Sequence, residues 1–100
     1  MFGTIGHVRL KAGKDQALVS LMDEWKRTIR PQVPGSMLEL AGTSVSRPGE
    51  TVFIALMQDE ATYRTLANNP DQDAWFRRML ELADGDVQWE DVNLDITLQD

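Results

Sequence analysis

One side chain in the sequence titrates near neutrality when unperturbed, and it is His7. On a strand face turned toward a cavity it could serve as a general base; as a hydrogen-bonded wall residue it would be inert. Asn68, Asn69 and Trp75 form a second group. Asn69 precedes Pro70 and so has a competing duty as a helix cap. Asn68 has no such duty and is the better polar candidate. Trp25, Tyr63 and Phe76 could surround a planar ligand, although aromatics at helical spacing ordinarily pack as core. Arg77 and Arg78 are adjacent and therefore point in different directions on a helix. Arg78 could meet a ligand anion, with a solvated surface pair as the plainer reading. Arg9 shares its parity with His7 and reads as a cross-strand partner of a carboxylate.

Composition removes many other chemistries. The chain has no cysteine, which excludes a disulfide framework, a thiolate metal site and a cysteine nucleophile. A single histidine argues against metal and haem sites built from several imidazoles, so neither a metal nor a cofactor is expected. Gly3-x-x-Gly6 lacks the spacing and the strand-to-helix setting of a dinucleotide fingerprint. No serine sits in a G-x-S-x-G context, and the acidic residues near the C-terminus lack the spacing of a calcium loop. Net charge is −6. Residues 1–83 balance ten basic against ten acidic side chains, and the excess lies in Asp84, Asp86, Glu90, Asp91, Asp95 and Asp100. An acidic chain without a basic stripe repels phosphate backbones and anionic membranes, so neither nucleic acid nor a membrane is an expected partner. The acidic end suits solubility and protection of a sheet edge. No apolar run is long enough to span a bilayer and no leader precedes the first strand, so a cytoplasmic location is expected.

At 100 residues the chain is expected to form a single domain, 1–100. Phe2 to Leu10 reads as a strand, with Phe2, Val8 and Leu10 on one parity and Ile5, His7 and Arg9 on the other. Lys11-Ala12-Gly13-Lys14 turns the chain. Leu18, Leu21, Met22, Trp25 and Ile29 form one stripe of a helix from about Asp15, which Arg30-Pro31 ends. A strand follows from Met37, with Gly42 expected to mark a bulge or a close backbone approach. Pro48-Gly49 suits a type II turn into a third strand, Thr51–Gln58. That strand is apolar without alternation, as expected when both faces are covered. Asp59 can cap the next helix, and Asn69-Pro70 restarts it. Trp75, Phe76, Met79, Leu80 and Ala83 make its apolar stripe, and Asp84-Gly85 stops it. Val92, Leu94, Ile96 and Leu98 alternate with polar residues in a half-buried last strand.

The element order is β-α-β-β-α-β, with the second helix in two pieces. It predicts an α+β fold, a ferredoxin-like sandwich with both helices on one face of a four-stranded antiparallel sheet. Two helices cover only one face, and the other would expose a large apolar surface. A second copy packed sheet to sheet is the natural remedy, so a two-fold homodimer is expected.

The sequence resembles the antibiotic-biosynthesis-monooxygenase-like (ABM) domains of the dimeric α/β-barrel proteins. The resemblance rests on Val8-Arg9-Leu10-Lys11-Ala12-Gly13-Lys14, Pro34-Gly35, Thr51 to Leu56, Asp59-Glu60-Ala61-Thr62-Tyr63 and Asn69 to Phe76, and spans nearly the whole chain. It implies a shared barrel made by two sheets and a small-molecule cavity between each protomer's helices and sheet. It implies a possible cofactor-free oxygenation, in which a base deprotonates a phenol or hydroquinone and the anion passes an electron to O₂. His7 and Asn68 are the catalytic candidates under that reading, and Trp75, Tyr63, Trp25 and Arg78 the substrate-binding ones. In the oxygenases an asparagine and a tryptophan on the second helix help hold the aromatic substrate. The haem-degrading relatives use a histidine on that helix, which this chain lacks. Non-catalytic ligand-binding or stress-associated dimers, and a structural dimer with a filled cavity, are the alternatives.

Overall fold

Turn chemistry sets where the chain reverses. In the computed structural model, which describes residues 1–95, Gly13 and Gly49 take φ of 78° and 86°, values that an L side chain rarely adopts. The amide of Lys14 donates to the Lys11 carbonyl at 3.2 Å and that of Glu50 to the Arg47 carbonyl at 3.1 Å, closing the two turns read from sequence. Between the turns lie β1 (Phe2–Arg9), α1 (Asp15–Thr28), β2 (Met37–Thr43), β3 (Glu50–Met57), α2 (Glu60–Ala67), α3 (Pro70–Glu81) and β4 (Gln88–Asn93). A single turn of 3₁₀ helix, Arg30–Gln32, follows α1 at the proline. The Asp59 carboxylate accepts from the Thr62 amide at 2.8 Å and the Asn69 amide oxygen from the Asp71 amide at 2.8 Å, so both expected caps are formed. The last strand keeps Val92, whereas Ile96 and Leu98 lie outside the described residues.

The sheet order is β2-β3-β1-β4 with every pairing antiparallel, the arrangement of a ferredoxin-like sandwich. Register decides which side chains meet the helices, because successive residues of a strand face opposite ways. On the helix side, Val8 packs with Leu18, Leu21, Met79 and Ala83. A second cluster joins Trp25, Ile29, Val33, Met57 and Leu66. Val8, Met57 and Met79 are the largest fully buried side chains. The α3 stripe departs from expectation at Leu80, which is 41% exposed because the helix turns it away from the sheet.

One other expectation is corrected. Gly42 pairs in regular register with Val52, and nothing lies within 4 Å of where its Cβ would be, so it marks neither a bulge nor a close approach. Within a single chain Leu56 and Met57 of the third strand are buried and its other residues are half-buried. On the side away from the helices, Ile5 opposes Ile54, His7 opposes Val52, and Leu40 opposes Ile54. There Leu40 is 54% exposed and Leu38 43%. The apolar outer face expected from the strand patterns is present, and a lone chain leaves Leu38 and Leu40 on it open to water.

Candidate functional site

A row of four residues crosses the helix side of the sheet: Glu39 on β2, Ala55 on β3, Thr4 on β1 and Asp91 on β4. The rows beside it are bulkier. One is Met37-Met57-Phe2; the other is Ala41-Phe53-Gly6-Trp89. Ala55 thus forms the floor of a valley between methionine and aromatic ridges. Helices α1, α2 and α3 roof it with Met22, Trp25, Tyr63, Trp75, Phe76 and Met79, and the space between them and the sheet, open to solvent on part of its boundary, is about 540 Å³. That volume falls in the range of small-molecule sites, which are mostly apolar with a few placed polar groups. Gly6 matters to one ridge. A Cβ there would stand 2.3 Å from the Trp89 ring, so only glycine lets the indole lie across β1 toward Phe76, with ring centroids 5.5 Å apart.

Three of the six site residues read from sequence meet at this cavity. Trp25 donates its indole N–H to Gln72 Oε1 at 2.6 Å, and Trp75 donates its own to the Leu21 carbonyl at 2.7 Å. With both N–H groups committed, the two indoles offer the cavity their apolar surfaces. Tyr63 donates its hydroxyl to Asp91 Oδ1 at 2.7 Å, and its ring packs on Phe2 at 5.2 Å. The Arg64 guanidinium lies 5.5 Å from the Tyr63 ring centroid.

The other three stand elsewhere. His7 is on the outer face, its Nδ1 2.7 Å from Glu50 Oε1, with the whole sheet between it and the cavity. Asn68 is exposed at the C-terminus of α2, where its Nδ2 donates to the Arg64 carbonyl at 3.0 Å. It borders a shallow surface hollow with Asn69 and Asp71 rather than the cavity. Arg78 ties α3 to α1 through Glu24 at 2.7 Å. Parity alone put His7 on the side of Ile5; which side the helices take was not written in the strand itself.

Glu39, Ala55, Thr4 and Trp89 belong to the cavity and were not singled out from sequence. The signal for Trp89 was its place in the last strand, and the other three declare themselves only through cross-strand register. Among the described residues no group of three or more His, Cys, Asp or Glu side chains could hold a metal. Burial pushes the Glu39 carboxyl above its ordinary value, against the opposing pull of Arg30 and Lys26.

Burial and then the Asp91 carboxylate, as hydrogen-bond acceptor and charge, push the Tyr63 phenol up to about 12. The neutral phenol is the form the fold favours. Its contribution to stability is therefore complete below the ordinary value of 10.0 and is lost as pH rises from there through about 12. Tyr63 is the only tyrosine, so the ultraviolet absorbance of phenolate reports it alone. The expected titration is centred near 12, and Tyr63→Phe should flatten the fall in melting temperature above pH 10. A midpoint at the free value would show that Asp91 and the roof do not hold the phenol.

No protein-family model matches the sequence, and no curated protein sequence matches it significantly. Solved structures do match. SnoaB, a cofactor-independent oxygenase of Streptomyces nogalater, superposes with a TM-score of 0.80 over 99% of this chain and 97% of its own, at 12% identity. A Deinococcus radiodurans protein, provisionally named an antibiotic biosynthesis monooxygenase, matches with a TM-score of 0.79 over 99% and 97%, at 17% identity. A Mycobacterium tuberculosis protein matches at 0.77 over 98% of each chain, at 15% identity. This chain has the fold of the antibiotic biosynthesis monooxygenases of known structure.

Proposed function

We propose that the protein binds a small planar aromatic or quinone-like molecule in the cavity between sheet and helices, as a homodimer joined through its open sheet face. The observation that carries the proposal is the valley over Ala55, roofed by Trp25, Tyr63 and Trp75 and left unfilled by the core. A purely structural dimer would have closed that space, since interiors pack to crystal-like density. The flat ridges and floor suit a flat ligand.

Oxygenation of the bound molecule without metal or flavin is the catalytic form of the reading, and the fold likeness to SnoaB supports it. Such a reaction inserts one atom of O₂ into the substrate and releases the other as water, the substrate supplying the electrons. His7 lies across the sheet from the cavity, so the proposal gives it no part in the reaction.

Trp25, Trp75 and Trp89 all border the cavity, so intrinsic fluorescence tests binding. A naphthoquinone should quench it saturably, with one molecule bound per chain and a Kd of about micromolar to tens of micromolar. Linear quenching without saturation would reject the cavity as a ligand site. Oxygen consumption with hydroquinones and anthrones then separates an oxygenase from a ligand carrier, and His7→Ala should leave either result unchanged.

A further inference from the structure

We infer that Glu39 sets which aromatic molecules the cavity prefers: those carrying a hydrogen-bond donor at the β2 end of the ring system. This rests on the binding reading proposed above and adds to it a residue and a chemical selection.

Glu39 borders the cavity from the inner side of β2, in line with Ala55 and Thr4. Lys26 also borders the cavity and has no ion pair or side-chain hydrogen bond among the described residues; the remaining polar groups of the wall are engaged, Thr4 donating its hydroxyl to the Glu90 carbonyl at 3.2 Å. Asp73 pairs with Arg77 Nε at 3.0 Å, Tyr63 with Asp91, and Gln72 Oε1 accepts from Trp25. Among the described residues Glu39 has neither an ion pair nor a side-chain hydrogen bond, and Lys26 and Arg30 act on it only from beyond ion-pair distance.

Geometry adds a length. Glu39 and Thr4 lie two strands apart, so their backbones are about 10 Å from each other across the floor. A bicyclic or tricyclic ring lying along the row would place one edge at the Glu39 carboxylate and the other near Thr4 and Tyr63. A carboxylate is an acceptor only, so a ring O–H or N–H at that edge gains a charge-assisted bond.

Calorimetric titration of the protein at neutral pH with β-naphthol and its methyl ether tests this. The wild type should bind β-naphthol about tenfold more tightly than the ether. Glu39→Gln should remove most of the preference for the naphthol, with the ether unchanged. Circular dichroism of the variant, matched to wild type, shows that it folds. Equal binding of the two by wild type, or a Glu39→Gln protein with the wild-type preference intact, overturns the inference while the cavity stands as a site. Failure of wild type to bind either overturns the cavity reading, and the role of Glu39 with it.

Discussion

Ala55→Leu should weaken naphthoquinone binding by at least about tenfold and leave the protein folded. Ala55 is the floor of the valley, flanked by Met57 and Phe53 on its own strand and opposed by Glu39 and Thr4 across the sheet. A leucine side chain there rises into the space a ligand would occupy. Overpacking a filled core ordinarily costs about 1–3 kcal/mol, but this position faces open volume, so the melting temperature should hold or rise. Affinity and stability thereby part company, which a general disruption of the fold could not produce. Wild-type affinity in Ala55→Leu would mean that the ligand sits somewhere other than between sheet and helices.

Ile54→Lys should convert the proposed dimer into single chains. Ile54 stands at the middle of the outer face, opposed by Ile5 and Leu40, with the exposed Leu38 on the same side. Two-fold packing through this face would take the lysine of each copy out of water against the apolar side chains beside Ile5 and Leu40. An unpaired buried charge costs several kcal/mol, so the dimer dissociation constant should rise by more than about a hundredfold. Sedimentation equilibrium reads the change directly. A wild type that is a single chain at micromolar concentration, or a variant that associates as tightly as wild type, would show that the outer face is not the joint between copies.

Much of the architecture was legible because it is carried by local chemistry. Proline, glycine and the two caps at Asp59 and Asn69 fixed the ends of elements, and helical spacing located Leu18, Leu21, Trp25 and Met79 in the core. Element order then left few arrangements open. The cavity was legible in its roof, since Trp25, Tyr63 and Trp75 are large aromatics on helices. Its floor was not. Ala55 and Thr4 carry no chemical signal of their own; they acquire one only when four strands align and place small residues between large ones. His7 drew attention by its chemistry, yet a strand's alternation defines two faces without saying which one the helices will cover. Asn68 was chosen because nothing else explained it, and a C-terminal carbonyl of its own helix turned out to be its partner.

The claim on which the rest depends is that the ligand lies on the helix side of the sheet. Methyl and indole resonances followed by nuclear magnetic resonance during a naphthoquinone titration test it without any substitution. Met22, Met37, Met57 and Met79 methyls and the Trp25, Trp75 and Trp89 indole signals border the cavity, while Ile5, Leu38 and Val52 lie on the opposite face. Saturable shifts confined to the first set are the expected result. Shifts concentrated at Ile5, Leu38 and Val52, with the methionine methyls unmoved, would contradict it.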